Sequence, residues 1–165
     1  MPDALETLEV SSMLANAYEP KRKFRFILEI DGIDAFTVES TARPHLSFDT
    51  VEIHYINARR YLAGKMAWAT IGLTLNDPIA PSAAQKVMQW VNLAYEAITG
   101  RAGYASFYKK DIVLKMLDPI GDVVERWTLK GTWITDADFT DLNYTTSDVA
   151  QVTLTLQYDN AVLEY

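Results

Sequence analysis

The chain has 165 residues, which fits one domain able to bury roughly two thirds of the surface that its unfolded form exposes. It has no cysteine, which excludes disulfide scaffolds, iron–sulfur clusters, thiolate zinc sites and cysteine nucleophiles. Lys plus Arg is 15 against 22 for Asp plus Glu, a net charge of -7, so the basic face that tight binding to nucleic-acid phosphates requires is not supplied.

Residues 1–20 carry Asp3, Glu6, Glu9 and Glu19 before any basic residue, unlike a secretion signal. Leu5, Leu8, Met13, Leu14 and Ala17 fit a helical stripe loosely, so a short helical arm or an irregular lead-in is expected, able to order against a neighbour. No stretch approaches the roughly 20 apolar residues of a membrane helix, and a soluble chain without a membrane anchor is expected. Lys21, Arg22, Lys23 and Arg25 form the one dense basic cluster. It reads first as the charged start of a strand; a phosphate contact or inter-subunit pairing are the other readings.

Residues 23–30 alternate with period two, placing Phe24, Phe26, Leu28 and Ile30 on one face of a half-buried strand. Asp31-Gly32 is a hairpin turn signal, so residues 33–40 are expected to return alongside that strand until Pro44 breaks it. Residues 46–55 read as a strand with Phe48, Val51, Ile53 and Tyr55 as its apolar positions. Residues 57–67, with Asn57, Arg59, Arg60, Tyr61 and Lys65, read as a loop or a protruding hairpin, and 68–75 as a strand rich in β-formers on both faces.

The period then changes to 3.6. Val87, Trp90, Val91, Ala94 and Ile98 share a stripe that predicts a helix over about 82–98, capped by Ser82 or Asp77 and stopped at Gly100. Strands follow at 112–117, after which Asp118-Pro119-Ile120-Gly121-Asp122 turns, and at 123–133 with a bend at Gly131. A polar stretch near 136–148 precedes the last strand, in which Val152, Leu154, Leu156 and Tyr158 alternate with Gln151, Thr153, Thr155 and Gln157. Strands, one helix, then strands predict a mainly β fold: an antiparallel β-barrel or sandwich of two packed sheets with one flanking α-helix, as a single domain over 21–165 preceded by the 1–20 arm.

Chemistry is sparse. His45 and His54 lack H-E-x-x-H spacing, there is no G-x-S-x-G elbow, and the glycines form no phosphate loop. Asp136, Asp138 and Asp141 resemble part of a calcium loop without its glycine and distal glutamate, and read as a solvated or pore-facing acidic segment. The expectation is no catalytic residue, no cofactor and no metal, and a self-assembling structural domain whose exposed strand edges are joined between subunits.

Several stretches in succession carry a family resemblance: Phe24 to Ile30 leading to Thr41-Ala42-Arg43-Pro44; Asn57-Ala58-Arg59-Arg60 before Ala63-Gly64 and Trp68; Leu75-Asn76-Asp77 before the helix that holds Trp90; and Lys130-Gly131-Thr132-Trp133-Ile134-Thr135 followed by Leu142, Asn143, Tyr144 and the closing strand. In these the chain resembles the tail tube proteins of contractile-tailed bacteriophages, the family of the T4 tail tube protein, with relatives in contractile injection particles. The resemblance implies hexameric rings stacked into a hollow tube in the virion tail, through which DNA passes into the host, and synthesis in the host cytoplasm. It implies partnership with further copies of the chain, with the sheath, and with baseplate and tail terminator proteins. An alternative is a tube or tube-adaptor subunit of a protein-delivering injection system or baseplate. Carried onto this sequence, the 1–20 arm and Asn57, Arg59, Arg60, Tyr61 and Lys65 are inter-ring contact candidates. Gln151, Thr153, Thr155 and Gln157, with the polar positions between 48 and 55, are candidates for the channel lining.

Overall fold

Apolar residues recur at every second position through most of the chain, and each such run becomes a strand. The computed structural model describes residues 19–165, so the arm expected over 1–20 lies outside the described residues except for Glu19 and Pro20. The strands are β1 (Phe26–Glu29), β2 (Val38–Thr41), β3 (Leu46–Tyr55), β4 (Ala58–Trp68), β5 (Ile71–Asn76), β6 (Lys110–Leu117), β7 (Val123–Asp138), β8 (Gln151–Gln157) and β9 (Asn160–Leu163). Helix α1 (Ala83–Ala94) and a single helical turn, α2 (Ala105–Tyr108), separate β5 from β6. Every strand pairing is antiparallel.

β7 organises the domain, because its 16 residues serve two sheets. Its first part pairs with β6 and β9, and β1 pairs with β6, giving the order β1-β6-β7-β9. Its second part pairs with β8, and the order continues β7-β8-β5-β2. The switch occurs at a bulge where the β6 register shifts opposite Lys130 and Gly131. Gly131 has φ +66, a left-handed conformation that a glycine adopts freely. A side chain there would also meet the Asp159 carboxylate.

The inner faces of the two sheets supply one core. Leu28, Ile112, Leu114 and Leu129 come from the first sheet, and Leu73, Leu75, Leu154 and Leu156 from the second. Burying each such side chain contributes about 1.5–3 kcal/mol. Helix α1 adds Ala83, Val87 and Trp90 to the same core, and the Trp90 indole N–H donates to the Tyr108 carbonyl at 2.6 Å. The architecture is the mainly β, antiparallel two-sheet arrangement with one flanking helix that periodicity predicts.

Three local expectations need correction. The segment after Asp31-Gly32 does not return along β1. Only Ile30 and Ile33 form a bridge there, a 3-10 turn at Ala35–Thr37 follows, and β2 crosses to the other sheet to pair with β5. Helix α1 ends at Ala94 instead of near residue 98, because Tyr95 turns to extended backbone and bridges to Ala102. Gly100, with φ +70, therefore serves the turn that follows the helix and not its last residue. Finally, the chain after β8 turns back as β9, a strand that its short and mixed sequence does not announce.

Candidate functional site

The segment that reads as loop or hairpin is a hairpin, and it stands apart from the domain. β3 and β4 pair only with each other, from Leu46↔Trp68 out to Tyr55↔Ala58, and every β3 residue is exposed. Ten residues of strand span about 30 Å. An isolated two-stranded ribbon is marginally stable in water, so a ribbon this long points to a partner.

A bulge places Gly64 and Lys65 opposite Asp49. A Cβ at Gly64 would sit 2.9 Å from the Asp49 carbonyl oxygen, which fixes glycine there. The apolar strip changes face across this point. At the root, Leu46, Phe48, Met66 and Trp68 share one face, and the Trp68 ring lies 5.8 Å from that of Tyr158 in the body. Towards the tip that same face is polar: Glu52 and Arg59 form a salt bridge at 3.2 Å, with the His54 ring 3.7 Å from the same oxygen. The opposite face near the tip carries Val51, Ile53, Tyr55 and Leu62.

The turn itself is two residues, Ile56 and Asn57. Ile56 has φ +52, although such turns normally place glycine or asparagine where the backbone is left-handed. A branched residue held there costs on the order of 1–3 kcal/mol. The structure thus gathers Asn57, Arg59, Arg60, Tyr61 and Lys65 on one projection. It also divides them: Arg59 and Tyr61 lie on the ionic face, Arg60 on the apolar one, Lys65 in the bulge and Asn57 in the turn.

The second surface is the outer face of the β7-β8-β5-β2 sheet. β8 lies between β5 and β7, with Val152, Leu154 and Leu156 buried, so Gln151, Thr153, Thr155 and Gln157 project outward. Cross-strand pairing sets Thr74, Thr153 and Asp138 in one row and Gly72, Thr155 and Asp136 in another. Gln151 donates to Glu39 and, at 3.4 Å, to Asn76. The face is polar and acidic, and these rows contain no Lys or Arg. Its two margins, β2 and the second half of β7, have no strand beyond them among the described residues. The polar β3 positions proposed with this face, Asp49, Thr50, Glu52 and His54, belong to the ribbon instead.

One site escaped the sequence reading. Glu125 is buried, and its carboxylate accepts from Lys21, from the Trp127 indole at 2.6 Å and from Arg43 at 3.5 Å. Burial pushes its pKa up, but hydrogen bonds from Lys21 and Trp127 and the charges of Lys21 and Arg43 outweigh that and hold it below the ordinary value. Lys21 leads into β1 and Arg43 precedes β3, so one carboxylate ties down the base of the N-terminal lead and the base of the ribbon. Its parity with Trp127 and Leu129 on β7 was the available signal.

No curated protein sequence matches the chain. Among solved structures, a chain of the PVC extracellular contractile injection system's sheath/tube terminator in the extended state is 18% identical, with TM-score 0.74, covering 90% of this chain and 99% of that one. A chain from the sheath-tube complex of the same system is 19% identical, with TM-score 0.70 and coverages of 96% and 99%. Hcp1 from Flavobacterium johnsoniae is more distant, at 10% identity and TM-score 0.54, covering 86% and 95%. These likenesses establish a shared fold. The family model of the T4-like virus tail tube protein gp19 matches residues 22–162, nearly the whole described domain, and the chain therefore belongs to that family as a structural tail tube subunit.

Proposed function

We propose that this protein forms hexameric rings that stack into the hollow tube of a contractile phage tail, with no catalytic role. The observation that carries this reading is the β3–β4 ribbon on a domain whose β7-β8-β5-β2 sheet has no strand beyond either margin among the described residues. Joining β2 of one copy to the second half of β7 in the next would continue the sheet around a ring and remove both edges. The ribbon, with Asn57, Arg59, Arg60, Tyr61 and Lys65, and the 1–20 arm would then bridge successive rings. Gln151, Thr153, Thr155 and Gln157 would line the channel, where Glu39, Asp136 and Asp138 repel DNA phosphates and let the genome pass. The sheath would surround the tube, with baseplate and terminator proteins at its ends, in a virion assembled from subunits made in the host cytoplasm.

Microscopy of concentrated protein tests this: rings and tubes are expected, and strictly monomeric material under all conditions overturns it. A second reading is a tube or adaptor subunit of a protein-delivering injection system. The fold shared with the PVC terminator and with the tube-terminating cap of the anti-feeding prophage favours it (TM-score 0.74 for each). An adaptor would form rings that do not stack alone, whereas a tube subunit would polymerise without help.

A further inference from the structure

Ile56 is the wrong residue for a free turn. It occupies the left-handed position of a two-residue connection, φ +52, while the asparagine that tolerates such a conformation stands one place later, at 57. Its side chain is 86% exposed, so little packing among the described residues offsets that backbone. Strained positions persist where something else compensates them. In sequence it follows directly on the apolar strip of Val51, Ile53 and Tyr55, which Leu62 joins from the facing strand.

We propose that the Ile56 side chain is a knob that the ribbon inserts into an apolar site on a second copy of this chain. The inference rests on the reading of the ribbon as the bridge between rings. The occupant is another copy for three reasons. The family model that matches the chain is that of a tail tube protein, and a tube built from one kind of subunit offers each copy a neighbour like itself. The tip lies about 30 Å along the ribbon from the root, where Trp68 meets the body, and its Tyr55 and Ile56 side chains are exposed. The apolar strip changes face at the Asp49–Gly64 bulge, so the root face serves the parent subunit and the tip face is left for a neighbour.

The knob has a distinctive signature, because relieving the strain and removing the contact act in opposite directions. Ile56→Gly should leave the melting temperature of dilute, unassembled subunit unchanged or raise it. It should also raise the concentration needed for half-assembly by about tenfold. Ile56→Val should assemble like the parent. Because the chain has no cysteine, Ile56→Cys offers a single attachment point for a benzophenone photo-crosslinker, expected to join two copies. Assembly of Ile56→Gly at the parent concentration, or a cross-link confined to its own chain, overturns the proposal. A Val51→Ser/Leu62→Ser variant separates the two levels. If it fails to assemble while Ile56→Gly assembles normally, the ribbon bridges copies without its tip and only the knob is lost. If every variant assembles normally, the ribbon reading falls as well.

Discussion

A buried carboxylate must be neutralised by geometry, and at Glu125 the two flanking cations are half exposed while the tryptophan is more buried. Removing the carboxylate therefore acts unevenly. Lys21 and Arg43 can turn to water, but the Trp127 indole N–H loses its acceptor inside the protein. Glu125→Ala should cost about 1–3 kcal/mol in denaturant unfolding, mostly from that unsatisfied donor. The acid response follows from the sign of the pKa. The folded value is depressed, so the stabilisation is complete above the ordinary value of 4.5 and fades as pH falls through the lower folded value. Melting temperature measured from pH 7 downward should fall below about pH 4.5 in the parent, and a Glu125→Gln variant should show a shallower fall. An equally steep acid transition in that variant would remove the carboxylate from the account. The strand parity of Glu125 was legible, but its charged partners stand 104 and 82 residues away, and no local pattern encodes such distances.

At the scale of elements, helix α1 shows what a sequence period does and does not fix. The apolar stripe sets the buried face correctly, and both proposed caps operate together. The Asp77 carboxylate accepts from the Ala83 and Ala84 N–H groups at 3.0 and 3.3 Å, while the Ser82 hydroxyl accepts from Gln85 N–H at 3.4 Å. Asp77→Ala should destabilise by about 1–2 kcal/mol and Ser82→Ala by less, since Asp77 satisfies two donors at shorter distances; calorimetry of both variants checks the order. The stripe misplaces the end because the stop is tertiary. The returning chain lays Gly103 against the helix terminus, its N–H on the Ala94 carbonyl at 2.9 Å, where a Cβ would collide with the Leu93 carbonyl oxygen. Ile98 fits the period yet is almost fully exposed beyond that stop. The bend in β7 was legible from Gly131 alone, because a glycine inside a strand marks a bulge. Gly131→Ala should cost at least about 1–2 kcal/mol from the left-handed backbone, with the approach to Asp159 adding to it. A melting temperature equal to the parent's would show that the bend is not held there.

For the whole molecule, the predicted class and the alternating face of β8 were readable from periodicity, whereas the pairing partners were not. Asp31-Gly32 looked like a hairpin turn because turn chemistry is local; the crossing of β2 to the second sheet is decided by burial of Ile30 and Ile33 and by the pairing offered by β5. A protruding hairpin was legible at 57–67, but that β3 forms its other arm was hidden, because an exposed strand with apolar positions reads like a buried one. The channel assignment gives a charge test. Thr153→Lys with Thr155→Lys alters two outward positions, so folding should change by under about 0.5 kcal/mol per site. Assembled tubes should then retain a short oligonucleotide in low salt and release it as salt rises, unlike the parent. Tubes that stay indifferent to DNA would place this face away from the channel. The path of β7 has a mechanical consequence. One unbroken strand belongs to both sheets, so a pull applied to either travels through covalent bonds into the other before any apolar contact must yield. A tube driven through a cell envelope would carry thrust along its backbone, and each subunit would resist shear between its layers as one body.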